Sequence, residues 1–180
     1  VITGGPGTGK TTIMRLVLDM FTEQKLAVSL CAPTGKAAKR LSESCGKEAK
    51  TLHRLLGVEM SEREEQRFSK NEQNPLDCDV VIVDEMSMVD IMLFSALLKA
   101  MRKDTRLIIA GDADQLPSVG AGNVLRDILD SEAAPSVRLS EVFRQAEESR
   151  IVVNAHRINN GEMPLGNDKD KDFFFMPRSA

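Results

Sequence analysis

Short apolar runs rich in β-branched residues recur along the chain, at residues 27–31, 80–83, 107–110 and 137–139. Each has the length of a strand and ends in polar or turn-forming residues. The stretches between them have helical spacing. Residues 12–21 place Ile13, Leu16, Val17 and Met20 on one predicted face, and residues 88–101 are apolar almost all round, as in a helix packed tightly on a sheet. Residues 151–158 repeat Ile151, Ala155 and Ile158, with Gly161 and Pro164 as a stop signal. Strands alternating with helices predict βαβ units, and so an α/β fold with a mainly parallel sheet covered by helices on both faces. Val1-Ile2-Thr3 is a short first strand entering a glycine loop, and Phe173-Phe174-Phe175-Met176 reads as a strand start after a mixed-charge loop. Residues 61–74 are polar and charged; they predict an excursion from the core, helical or loop.

Composition narrows the class. One hundred and eighty residues suit one domain, and 42% apolar with 28% charged residues excludes a disordered tail, a collagen-like rod and a disulfide-stapled mini-protein. No apolar run approaches the roughly 20 residues of a membrane-spanning helix, so no membrane partner is expected. No export signal is visible, and Cys31, Cys45 and Cys78 lack metal-binding spacing, so reduced thiols and a cytoplasmic location are expected. A net charge of −3 gives no bulk attraction for nucleic acid, which leaves only local patches. One exists: residues 34–56 carry six Lys or Arg against two acids, whereas residues 58–85 carry nine acids against three basic side chains and read as a solvated face.

The chemistry begins at Gly4-Gly5-Pro6-Gly7-Thr8-Gly9-Lys10-Thr11, which fits G-x-x-x-x-G-K-[ST] between a strand and a helix. Glycines let successive N–H groups turn inward around a phosphate, and the helix start adds its free N–H groups and positive dipole end. Lys10 supplies a mobile charge for the terminal phosphates and Thr11 a hydroxyl for Mg²⁺. The run Val80-Val81-Ile82-Val83-Asp84-Glu85 delivers two carboxylates at a strand end: Asp84 for hydrated Mg²⁺, Glu85 to polarise an attacking water. The run from Leu107 to Gln115 repeats the pattern, with Gln115 as an amide able to touch both a γ-phosphate and water. Taken alone, Gln115 reads as a loop residue bonding to the backbone; a sensor role, in which it shares a ligand with Lys10 and Asp84, puts the strand at Leu107 between those at Val1 and Val80.

Six segments in order resemble the motifs of the RecD-like DNA helicases of superfamily one, the family of the exodeoxyribonuclease V alpha subunit. They are residues 4–12, 32–38, 51–57, 83–90, 111–117 and Val142-Phe143-Arg144-Gln145. The resemblance implies a RecA-like P-loop NTPase fold with ATP at Gly5, Pro6, Gly7, Thr8, Gly9, Lys10, Thr11 and Thr12, and Mg²⁺ at Thr11 and Asp84. It implies Lys10, Glu85, Gln115 and Arg144 as the catalytic set, with Glu85 the base, Gln115 the γ-phosphate sensor and Arg144 reaching the γ-phosphate. Pro33, Thr34, Lys36, Thr51, His53 and Arg54 match segments that contact single-stranded DNA, and they fall in the basic stretch. With no Trp or Tyr for stacking, such contact is expected to be led by the DNA backbone. His53 also reads as a half-buried helix histidine, and His156 as a helix residue.

A motor of this family implies a second RecA-like domain, an upstream adenine-reading glutamine and 5′-to-3′ movement. Residues 1–180 are therefore expected to be a single RecA-like ATPase domain cut from a larger helicase, weakly active by itself, with the second motor domain and subunits of a nuclease–helicase complex as partners. The alternatives are a P-loop NTPase switch, disfavoured by the absence of N-K-x-D, and a nucleic-acid adaptor with little catalysis, disfavoured by the intact motif residues.

Overall fold

In the computed structural model, residues 1–60, 66–141, 149–168 and 170–176 are described. In chain order they form β1 (Ile2–Gly4), α1 (Lys10–Glu23), β2 (Val28–Ala32), α2 (Gly35–Cys45), β3 (Ala49–Thr51), α3 (Leu52–Leu55), β4 (Val58–Met60), β5 (Gln66–Phe68) and β6 (Val80–Val83). A single 3-10 turn, Met86–Met88, leads into α4 (Ile91–Ala100), followed by β7 (Arg106–Gly111), α5 (Val124–Asp130), β8 (Val137–Leu139) and α6 (Arg150–Asn159).

Six strands pair in the order β3-β2-β6-β7-β1-β8, every pair parallel. The strand at Leu107 thus lies between β6 and β1, as the shared-ligand argument requires. β6 is buried on both faces, which is why it reads as an unbroken apolar run. Its side chains alternate between two cores. Val80 and Ile82 join Met14, Leu18 and Leu41 from α1 and α2 on one face. Val81 and Val83 join Leu52, Leu93, Leu97 and Leu125 from α3, α4 and α5 on the other.

The predicted face of α1 is rotated from the real one. Met14 and Leu18 are its buried residues, whereas Leu16 and Met20 are exposed. Seven apolar residues crowd this helix, so spacing alone selects no face. Lys10 does: it must reach back over the loop, and Met14 and Leu18 stand on its i, i+4, i+8 row.

The polar segment does leave the core, but as an antiparallel pairing of β4 with β5, Val58 opposite Phe68. Phe173–Met176 does not start a strand. The side chain of Asn167 takes both backbone groups of Phe175, accepting from its N–H and donating to its carbonyl, so no ladder forms. Cys31, Cys45 and Cys78 are free thiols. Among the described residues no helix is long and apolar enough to cross a membrane.

Candidate functional site

Parallel strands end at one edge, so whatever follows β1, β2, β3, β6 and β7 is gathered there. The loop after β1 turns on Gly7 and Gly9, whose φ values of 77° and 83° are left-handed. Gly4 has no room for a side chain; a Cβ there would stand 2.7 Å from both the Leu139 carbonyl oxygen and Thr8 Oγ1. Buried Thr8 donates to the Gly5 carbonyl at 2.9 Å. Lys10 Nζ donates to the carbonyls of Gly4 (2.6 Å) and Gly5 (2.9 Å), which holds the ammonium at the loop. Gly9 caps α1 without a side-chain bond, so the first-turn N–H groups, those of Lys10, Thr11 and Thr12 among them, are left for an anion. A loop with no room for a Cβ at Gly4, free N–H groups and a tethered ammonium together fit the phosphates of a nucleotide.

Beside it, Thr11, Arg40, Asp84 and Glu85 line a small cleft. The Glu85 N–H donates to Asp84 Oδ1 at 2.9 Å, and Glu85 itself has φ 54°, a left-handed conformation uncommon outside glycine. Burial raises the Asp84 carboxyl above its ordinary range, against the Glu85 N–H, Lys10 and Arg40, which lower it. Burial and then the Asp84 charge raise Glu85, with Lys10 and Arg40 opposing and Asp112 adding. Among the described residues no group of three His, Cys, Asp or Glu could hold a metal. One hydroxyl and one carboxylate with room for water is a hard-oxygen set, and it fits Mg²⁺, which keeps most of its hydration shell.

Gln115 arrives on the loop after β7. Its N–H donates to the Asp112 carbonyl at 3.2 Å, and its Oε1 accepts from Ser87 Oγ at 3.5 Å. It faces a cavity it shares with Gly5 and Pro6. The structure therefore brings Lys10, Thr11, Asp84, Glu85 and Gln115 to one edge. Arg144 falls in 142–148, outside the described residues.

The basic stretch reaches the same edge through β2 and β3. Pro33 and Thr34 are half-buried, and Thr34 caps α2, accepting from the Ala37 N–H at 3.2 Å. Thr51 caps α3, accepting from the Arg54 N–H at 3.2 Å. Lys36 and Arg54 are exposed, and the half-buried His53 ring lies 6.0 Å from that of Phe68. Both readings of His53 stay compatible with that position.

A family profile described as AAA domain matches residues 1–174. The chain belongs to the AAA domain family. It is 45% identical over 169 residues to the ATP-dependent RecD2 DNA helicase of Deinococcus radiodurans, covering 94% of this chain and 23% of the relative. It is 40% identical to the RecBCD enzyme subunit RecD of Mycobacterium tuberculosis, covering 92% of this chain and 33% of the relative. The chain thus spans from 23% to 33% of the length of these curated relatives, and the RecD-like resemblance is borne out. A crystal structure of Bacteroides Pif1 bound to ssDNA superposes with a TM-score of 0.59 at 23% identity, over 89% of this chain and 42% of that one. The expected P-loop NTPase, RecA-like fold is borne out with it.

Sequence reading passed over three residues of this AAA domain's polar edge. Arg40, counted only as part of the basic stretch, lines the carboxylate cleft, one helical turn beyond Lys36. Ser87 is buried and bonded to Gln115. His156 lies in a helix as expected, but its ring faces the phosphate loop, with Nε2 3.3 Å from the Pro6 carbonyl oxygen.

Proposed function

We propose that this AAA domain is the first motor domain of an ATP-dependent DNA helicase, coupling ATP hydrolysis to movement along single-stranded DNA and duplex unwinding, 5′-to-3′, in the full-length protein. The observation that carries the reading is strand order. β7 lies between β1 and β6, and Gln115, on the loop after it, shares a cavity with Gly5 and Pro6 and a hydrogen bond with Ser87, two residues beyond Glu85, which supports a role beside the terminal phosphate. Gly5 to Thr12 bind the phosphates, Lys10 meets the β- and γ-phosphates, and Thr11 with Asp84 holds Mg²⁺. When bound, Mg²⁺ neutralises charge on the phosphate oxygens. Glu85 takes the proton of the attacking water, helped by a carboxyl that burial has made more basic. Gln115 senses the terminal phosphate, and Arg144 reaches it from the fourth motif.

Pro33, Thr34, Lys36, Thr51, His53 and Arg54 contact the DNA backbone. The edge shared by nucleotide and basic segments supports that coupling. Residues 1–180 act as one RecA-like unit in a cytoplasmic protein, opposite a second motor domain. The relatives' names, one a RecD2 helicase and one a RecBCD subunit, support helicase action and membership of a nuclease–helicase complex. ATPase rate of the full-length protein, with and without single-stranded DNA, tests the reading. Stimulation by DNA is expected; a rate indifferent to DNA in a protein that binds Mg-ATP overturns it.

A further inference from the structure

Helix α6 is not built into the two apolar layers. Among its described residues Asn154 alone is fully buried, and Ile151 and Ile158 are exposed. Its anchors are polar and local. Asn154 donates to the Leu165 carbonyl at 3.1 Å and accepts from the Leu165 N–H at 2.7 Å. Ser149 Oγ donates to Asp172 at 2.6 Å, and Arg150 pairs with Asp168 at 3.1 Å. The helix and the segment after it thus form a polar-bonded unit lying against the sheet edge.

That unit meets the phosphate loop at His156. A carbonyl oxygen only accepts, so the 3.3 Å contact of Nε2 with Pro6 requires the hydrogen on Nε2. The ring also occupies the space a side chain on residue 5 would need: a Cβ on Gly5 would stand 2.6 Å from His156 Cε1, and the three atoms nearest to it all belong to this ring. Gln115 and Asp112 face the same cavity, of about 180 Å³. The ring therefore holds the Gly5–Pro6 peptide from the side where Gln115 stands.

We propose that His156 is a positioning residue for the phosphate loop. Its Nε2–H bond to Pro6 and its packing on Gly5 fix the peptide at the terminal-phosphate end, and they tie the setting of α6 to that geometry. The inference rests on the reading of this loop as an ATP site. The remaining loop N–H groups and Lys10 do not depend on the ring, so binding of the inner phosphates should be insensitive to it, and alignment for hydrolysis should not.

The test uses the full-length protein and two probes, Mg-ADP and Mg-ADP with aluminium fluoride as the transition-state mimic. His156→Ala should lower kcat under saturating single-stranded DNA by about 10- to 100-fold, the cost of a small misplacement. KM and Mg-ADP affinity should stay near wild type, while affinity for the aluminium fluoride complex falls with kcat. His156→Gln, whose amide donates from nearly the position of Nε2, should recover most of the rate. A double-mutant cycle reads the contact itself: Gly5→Ala should cost at least about threefold less in the His156→Ala background than in wild type, because its nearest obstruction is gone. Wild-type kcat in His156→Ala overturns the proposal. So does an equal loss of both probes with a lowered melting temperature, or strict additivity in the cycle. A wild-type protein that neither binds nor hydrolyses ATP overturns the helicase reading as well, whereas an active wild type with an indifferent His156 overturns this inference alone.

Discussion

The backbone N–H of Glu85 donates to Oδ1 of Asp84 at 2.9 Å from a left-handed φ of 54°. Two adjacent carboxylates thereby stand in unlike settings: Asp84 is hydrogen-bonded at the strand end, and Glu85 sits on a strained turn before the 3-10 segment. Strain of this kind persists only where the surroundings over-determine it. Here the turn follows a fully buried strand and leads into buried Met86 and Ser87, which leaves it little freedom.

Glu85→Gln keeps the shape and much of the hydrogen-bonding reach of the side chain but removes the base. Mg-ATP should bind as in wild type, and DNA-stimulated hydrolysis by the full-length protein should fall by ~10²–10⁴. Steady-state kinetics beside a nucleotide titration separates the two effects. A variant that hydrolyses at the wild-type rate removes Glu85 as the base and turns attention to Asp112, which is buried beside it.

Asp84→Asn should change stability in a pH-dependent way. Burial raises the Asp84 carboxyl in the folded state, so the native protein holds a proton that the unfolded chain has lost, and stability falls as pH rises from the ordinary 3.8 through the raised folded value. The amide carries no such penalty. Without nucleotide or Mg²⁺, the variant should melt higher than wild type at pH 7, by about 2–4 °C per kcal/mol relieved. The advantage should vanish below pH 3.8, where both proteins are neutral at this position. With Mg-ATP present the order should reverse, because the metal-directed carboxylate is gone. Equal melting temperatures across the pH range would sink the argument.

Much of this was legible because chemistry constrains topology. A sensor glutamine that shares a ligand with Lys10 and Asp84 predicts β7 between β1 and β6, the order the family resemblance also implies, and that order is found. Legibility ends where local pattern is silent. β3 is three residues of Ala49, Lys50 and Thr51 at the sheet edge, with no apolar alternation to announce it. Phe173–Met176 has the apolar pattern without the ladder, because Asn167 competes for its backbone. α1 is apolar on too many sides for its spacing to choose a face. The contact of His156 with Pro6 spans 150 positions, and nothing in a helical repeat foretells it.

Lys10→Ala removes the charge bonded to the Gly4 and Gly5 carbonyls. Charge-assisted bonds contribute about 1.5–3 kcal/mol each, so Mg-ATP affinity should drop by roughly 10- to 100-fold or more. The fold should survive, since Thr8 still bonds to Gly5 and the left-handed glycines remain. Isothermal titration with Mg-ATP and a circular dichroism melt check both halves, and unchanged affinity would make the loop decorative.

Gly111→Ala tests whether the close approach of β7 to the Met86–Met88 turn sets the site. Gly111 ends β7 in register with Thr3, and a Cβ there would stand 2.8 Å from Leu125 Cδ2, 3.1 Å from the Met86 nitrogen and 3.3 Å from the Ser87 nitrogen. The leucine methyl can swing away, but the two backbone nitrogens follow the strained Glu85 turn and yield only if that turn moves. Overpacking of this sort costs about 1–3 kcal/mol, which in a chain of this size lowers the melting temperature by roughly 2–12 °C. The functional loss should exceed what partial unfolding explains, because pushing β7 from the turn separates Ser87 from Gln115, already at 3.5 Å, and shifts Gln115 relative to Asp84 and Glu85. Adding Leu125→Ala should not restore hydrolysis, since it frees the methyl contact and leaves the backbone contacts in place. Thermal melts and DNA-stimulated ATPase of the single and double variants read this directly. Full recovery of the rate in the double variant would mean that side-chain crowding, and not the approach of strand to turn, fixes the position of Gln115.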